Sequence, residues 1–151
     1  MPNDQAHALQ THALDAAVEA RLDSALEELK MLCRQPSVAA QHLGIEECAR
    51  LVADMLRRRG FDARIMPLPG GHPVVYGESP GQRERTMLFY NHYDVQPAEP
   101  LELWDSPPFE PALRDGKLYA RGVSDDKGHI VSRLAALDAV RDVRGAYPCR
   151  S

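Results

Sequence analysis

At 151 residues, with 44% hydrophobic and 26% charged content, the chain carries enough apolar sequence to bury one core. Eighteen basic against 22 acidic residues leave a net charge of −4 without a basic stripe, which points away from nucleic acid as a partner. The three cysteines, Cys33, Cys48 and Cys149, are widely spaced and outline no disulfide framework. With a polar N-terminus and no apolar run long enough to span a bilayer, a cytoplasmic protein without a membrane partner is expected.

Residues 1–11 read as a disordered lead-in, and 12–151 as one structural unit. From about Ala13 to Cys33, Leu14, Val18, Leu22, Leu26, Leu29 and Leu32 recur at helical spacing and predict an amphipathic helix whose stripe is core. Pro36 ends it. A second helix is predicted from about Ile45 to Arg59, with Ile45, Ala49, Val52 and Leu56 inward and Gly60 as C-cap. Its basic end, Arg57-Arg58-Arg59, is expected to be solvated, since positive charge there complements the helix dipole.

Short strands follow at about Asp62 to Leu68 and Pro73 to Gly77, joined through Gly70-Gly71. His72, beside that turn, has no partner at a useful spacing and reads as a loop histidine. A third strand is predicted from Thr86 to Asn91, buried over Met87 to Tyr90. The Pro-rich stretch after Asp94 is a rigid loop in which Trp104 and Phe109 read as surface anchors, with a cleft-lining role as the alternative. Asp115-Gly116 signals a hairpin between Ala112–Arg114 and Lys117–Tyr119. A last helix is predicted from about Asp126 to Arg141, with Ile130, Leu134 and Leu137 inward.

Two places carry chemistry. Side chains alternate along a strand, so His92 and Asp94 should point the same way at the end of the third strand, where an α/β protein places a site. Imidazole and carboxylate are ordinary ligands of divalent metals. By itself, His-x-Asp also fits a solvated strand end. The second place is Arg121-Gly122-Val123-Ser124-Asp125-Asp126-Lys127-Gly128. An N-cap role accounts for one aspartate of the pair and leaves the other available to bridge two metal ions.

In order along the chain stand His92-Tyr93-Asp94-Val95-Gln96-Pro97, Trp104 with Pro107-Pro108-Phe109 and Pro111, Asp115-Gly116-Lys117-Leu118-Tyr119-Ala120-Arg121-Gly122, and Ser124-Asp125-Asp126-Lys127-Gly128. Together these resemble the di-zinc metallopeptidase family of carnosine-type dipeptidases, aminoacylases and succinyl-diaminopimelate desuccinylase, with the dipeptidase branch nearest in wording. The strong resemblance covers about Thr86 to Gly128. It implies an α/β three-layer sandwich with a mixed sheet, and a hydrolase that cleaves small peptides or amides. In it, a water held between two zinc ions (cobalt or manganese being alternatives) loses a proton to a glutamate and attacks the carbonyl.

By the same resemblance His92 ligates one metal and Asp125 bridges both. Asp94 is the catalytic-site carboxylate that orients His92 and tunes its basicity. Asp126 is not a ligand, and the Asp125–Asp126 peptide is expected to be cis. The family's paired glutamates, later ligands and dimerisation domain have no counterpart here. The chain is therefore expected to be the N-terminal portion of a homodimeric enzyme with an incomplete sheet, inactive by itself. The alternative is a non-catalytic remnant or interaction module that keeps the fold. An unrelated hydrolase using Asp94 and Asp125 as a carboxylate pair leaves His92 unexplained.

Overall fold

The computed structural model describes the backbone from Pro2 to Ser151 and the side chains from Gln10 onward. Four helices, α1 (Pro2–Glu19), α2 (Leu22–Arg34), α3 (Ile45–Arg57) and α4 (Lys127–Arg144), account for most of the regular structure. The four strands are β1 (Asp62–Met66), β2 (Val74–Glu78), β3 (Ala112–Arg114) and β4 (Lys117–Tyr119).

The expected lead-in over 1–11 is helical from Pro2, as part of α1; Met1 lies outside the described residues. The helix expected to run on to Cys33 is two helices, broken at Ala20-Arg21. Arg21 Nε donates to Asp142 Oδ2 at 2.9 Å, tying the break to α4, and Ser24 Oγ donates back to the Arg21 carbonyl at 2.8 Å. The break changes the buried face. Val18 and Leu22, expected inside, are exposed, whereas Leu32 at the far end of α2 is fully buried.

The core joins Leu32 with Cys48, Val52 and Met55 of α3 and Ile130, Val131 and Leu134 of α4. On α3 the inward positions Ile45, Cys48, Ala49, Val52 and Met55 follow the helical repeat. The opposite side of α3 carries exposed ion pairs such as Arg50–Glu47.

One end of α3 departs from expectation. Arg59 is buried, because Glu28 of α2 and Asp138 of α4 both reach it. Its Nε donates to Asp138 Oδ2 at 2.8 Å, its Nη2 to Glu28 Oε2 at 2.5 Å, and its Nη1 to the Met55 carbonyl at 3.0 Å. A charge of this kind tolerates burial only when paired and hydrogen-bonded, and here both carboxylates come from neighbouring helices while the carbonyl belongs to α3 itself.

β1 and β2 pair antiparallel, Asp62 opposite Glu78 and Met66 opposite Val74, and α3 packs on them. β3 and β4 form the expected hairpin, Ala112 opposite Tyr119. Its turn residues Asp115 and Gly116 both take positive φ, +48° and +72°, as the tightest hairpin turns require. The fold is α/β with an incomplete sheet. Among the described residues the strands form two antiparallel pairs, and single parallel bridges join Val38 to Val95 and Thr86 to Arg150.

The stretch expected as a buried third strand is extended but exposed. Leu88 and Tyr90 are 87% and 84% exposed, and Met87 is half-exposed. Its composition is that of a central strand; among the described residues only Arg150 pairs with it, at its beginning.

Candidate metal centre

Two elements bring the chemistry-bearing residues together. The first is the chain from Asn91 to Val95, held in place by Ser37 and Val38. The Val95 N–H donates to the Ser37 carbonyl at 2.8 Å, and Ser37 Oγ donates to the Tyr93 carbonyl at 2.7 Å. The second is the loop 120–126 that leads into α4. The Lys127 N–H donates to the Gly122 carbonyl at 3.0 Å, which closes this loop over the first turn of the helix. Gly128 allows the closure, because a Cβ there would lie 2.1 Å from the Val123 carbonyl oxygen.

His92 and Asp94 do point the same way. His92 Nδ1 lies 3.1 Å from Asp94 Oδ1 and 3.0 Å from the Asp94 carbonyl oxygen. Both partners are acceptors, so Nδ1 donates to Asp94, and Nε2 faces away from it. That nitrogen lies 2.8 Å from Asp125 Oδ1. Asp125 is largely exposed, and His92 and Asp94 are partly so. Burial lowers the His92 pKa, but the hydrogen bond to Asp125 and the bonds to Asp94 outweigh it, and the imidazole is held above its ordinary value. The Asp125–Asp126 peptide is cis, as expected.

Asp126 faces the other way. It occupies the N-cap position of α4, yet makes no side-chain cap bond to the helix. Its Oδ2 instead accepts from the Asn91 side-chain amide at 2.7 Å and from the His92 backbone N–H at 3.1 Å, while Oδ1 bonds His129. Burial raises its pKa, but these hydrogen bonds outweigh burial and hold the carboxyl below the usual range. Arg133 Nη1 donates to the Tyr90 carbonyl at 2.7 Å, extending the same frame. Sequence reasoning missed Asn91, His129 and Arg133. The signal was faint: Asn91 adjoins His92, and His129 stands one helical turn after Asp126.

Lys127, next to the pair, is fully buried. Its Nζ donates to the Leu32 and Gln35 carbonyls at 3.0 and 2.6 Å, at the C-terminal end of α2, where the helix dipole favours a cation. Burial holds its pKa below the ordinary lysine value. Trp104 is anchored through Nε1 to the Ala98 carbonyl at 2.8 Å, and the Arg121 guanidinium lies 5.2 Å from its ring centroid. His72 Nε2 lies 3.2 Å from the Ala39 carbonyl, away from the site.

Residues 88–148, which include His92, Asp94, Asp125 and Asp126, match Peptidase family M20/M25/M40. Over 118 residues, 75% of this chain, the sequence is 39% identical to a succinyl-diaminopimelate desuccinylase from Delftia acidovorans. Over the stretch that carries the site, the chain is similar to M20 peptidases.

Two solved M20-type structures agree with it. One is an M20 family metallo-carboxypeptidase from Sulfolobus solfataricus, 37% identical, with a TM-score of 0.75 over 78% of this chain. The other is human carnosine dipeptidase 1, 28% identical, with a TM-score of 0.80 over 94% of this chain. The chain spans 30% of the length of the desuccinylase, and 27% and 33% of the lengths of the two solved proteins. Among the described residues, no group of three or more His, Cys, Asp and Glu side chains converges as a metal cage would. His92 Nε2 and Asp125 Oδ1 thus form a nitrogen–oxygen pair where the Asn91–Val95 segment meets the 120–126 loop, with Asp94 and Asp126 behind it.

Proposed function

We propose that this chain supplies the His92–Asp125 side of a divalent-metal centre in an M20 hydrolase that cleaves small peptides of the dipeptide type. The observation that carries the reading is the 2.8 Å approach of His92 Nε2 to Asp125 Oδ1, with the Nδ1 proton taken by Asp94. An imidazole nitrogen and a carboxylate oxygen suit zinc, with cobalt or manganese as alternatives. Asp125 meets His92 through Oδ1, and its second oxygen would be available to a further ion. A catalytic zinc normally takes three protein ligands, so the remaining donors come from polypeptide other than these residues. A bound metal supplies a Lewis acid for the substrate carbonyl and a more acidic water.

The chain's own residues prepare that centre. Asp94 fixes the tautomer and the ring orientation of His92. Asp126 fixes the backbone of His92 through its N–H and, through Asn91, the segment before it. The raised pKa of His92 means that a metal ion must displace a proton from Nε2, so metal uptake strengthens with rising pH. A homodimeric complete enzyme and a cytoplasmic location, the latter supported by the free thiols of Cys33, Cys48 and Cys149, belong to the same proposal.

The test is hydrolysis of a dipeptide panel by the native gene product with added zinc. His92→Ala and Asp125→Ala should each abolish turnover, and Asp94→Ala should reduce it about 10- to 100-fold. Undiminished turnover in His92→Ala sinks the proposal. Zinc binding without turnover of any small peptide or amide favours the non-catalytic module.

A further inference from the structure

Two imidazoles from different loops meet away from the His92–Asp125 pair. The ring centroids of His42 and His72 lie 5.2 Å apart, with the planes tilted by 55° and therefore not stacked face to face. Both residues are fastened to one oxygen. The Ala39 carbonyl accepts the His42 N–H at 3.1 Å and lies 3.2 Å from His72 Nε2. A carbonyl only accepts, so His72 Nε2–H donates to it and Nδ1 is the nitrogen with a lone pair to offer. A ring N–H held by a backbone carbonyl is the usual support of a metal-ligating histidine.

The two mounts are firm. Val38 and Leu43 exchange both backbone hydrogen bonds, at 2.9 and 3.1 Å, which closes the loop that presents His42. His42 itself ends the short 3-10 helix Ala39–Gln41 with φ at +52°, a left-handed conformation that few residues other than glycine adopt. His72 follows the Gly70-Gly71 turn, and its neighbour Pro73 accepts the Tyr93 hydroxyl through its carbonyl at 2.5 Å. His42 is exposed and His72 half-buried, so the pair is open to ions in solution.

The spacing also suits a shared ion. Zinc–nitrogen bonds run about 2.0–2.1 Å, and two imidazoles on one tetrahedral ion then have ring centres roughly 5 Å apart. Imidazole suits zinc, copper and nickel, whereas magnesium and calcium take oxygen ligands. We propose that His42 and His72 form a two-histidine site for a late divalent transition metal, with water completing the coordination shell. An ion held there clips the 38–43 loop to the turn before β2. The proposal is independent of the metal-centre reading, because it uses neither His92 nor Asp125.

The test uses the full chain carrying His92→Ala, which takes the other metal-facing histidine out of the readout. Copper(II) added below one equivalent should broaden the His42 and His72 ring resonances together in NMR, ahead of those of His12 and His129. Zinc should raise the melting temperature of this chain, and magnesium should not. Adding His42→Asn, since asparagine tolerates left-handed backbone, should abolish both the zinc shift and the copper broadening at His72. Adding His72→Gln should likewise abolish the broadening at His42. The same titration of the unaltered chain reads the pair directly should His92→Ala not fold, because each histidine reports separately. Copper broadening spread evenly over the exposed histidines overturns the proposal. Broadening at His72 that survives His42→Asn also overturns it, since the two rings would then only pack together.

Discussion

Asp126 holds His92 by the backbone: its Oδ2 accepts the His92 N–H at 3.1 Å while its other oxygen engages His129 of α4. The residue after Asp125 thus serves His92, and the two halves of the site are joined by this anchor as well as by the 2.8 Å contact of His92 Nε2 with Asp125 Oδ1. Asp126→Ala leaves the Asn91 amide and the His92 N–H without their acceptor, at a cost of about 1–3 kcal/mol. The expected outcome is a lower melting temperature together with a shifted His92 ring resonance in NMR. An unchanged His92 environment would show that the backbone anchor is not what positions the ring.

Gly128→Ala tests the closure of the 120–126 loop. The added methyl meets the Val123 carbonyl oxygen at 2.1 Å, so backbone must move, at a cost of about 1–3 kcal/mol. Because the displaced loop carries Asp125, zinc affinity measured by calorimetry should fall along with stability. Gly145→Ala serves as a comparison, since a Cβ there meets nothing within 4 Å and the site is distant, leaving only the strain of its positive φ. Loss of stability with unaltered zinc affinity in Gly128→Ala would separate the loop from the site.

The Arg59–Asp138–Glu28 cluster is expected to behave as a buried ion-pair network. Asp138→Ala removes the partner of Arg59 Nε and of Arg141 Nη2, which lies 3.1 Å from Asp138 Oδ1. Breaking such a pair typically costs about 3–5 kcal/mol, because a cation stays behind in the core. Urea titration should show that loss. The double variant Arg59→Met with Asp138→Leu should recover much of it, and failure to recover would assign the network a packing role that apolar side chains cannot fill.

Alkali should unfold the protein through its buried thiol. Burial pushes the Cys33 pKa from 9.0 up to about 11. Between those values the unfolded chain releases the proton while the folded chain keeps it, so stability present below 9.0 is lost as pH rises. Tyr93, pushed up to about 12 chiefly by burial, adds a loss of the same sign at higher pH. Lys127, held below 10.5 by burial, contributes an opposing rise. Cys33→Ala should therefore flatten the decline in urea-derived stability across this interval. An unchanged slope would mean that another group governs the alkaline limb.

Local signals were read correctly where one short stretch contains its own cause. Asp115-Gly116 demands a turn with positive φ wherever it stands, and the hairpin formed in register. The repeat of Ile45, Ala49 and Val52 placed α3 and its inward face, because one helix face is a property of spacing alone. His92 and Asp94 share a side for the same kind of reason, two residues apart in extended chain.

Contacts between distant residues had no such local sign. Arg57-Arg58-Arg59 reads as a solvated helix end, and Arg59 is buried only because Glu28 and Asp138 arrive from helices 31 and 79 residues away. Leu14, Val18 and Leu22 continue a helical stripe on paper, but Arg21 breaks the helix to reach Asp142, 121 residues on. The sequence by itself determined α3, α4, the hairpin and the His-x-Asp and Asp-Asp motifs, since each depends on spacing within a few residues. Only the tertiary structure decided which nitrogen of His92 meets Asp125, that Asp126 turns back to the His92 N–H, and that 87–90 lies open. Those outcomes depend on which surfaces meet, and a surface is assembled from residues far apart in the chain.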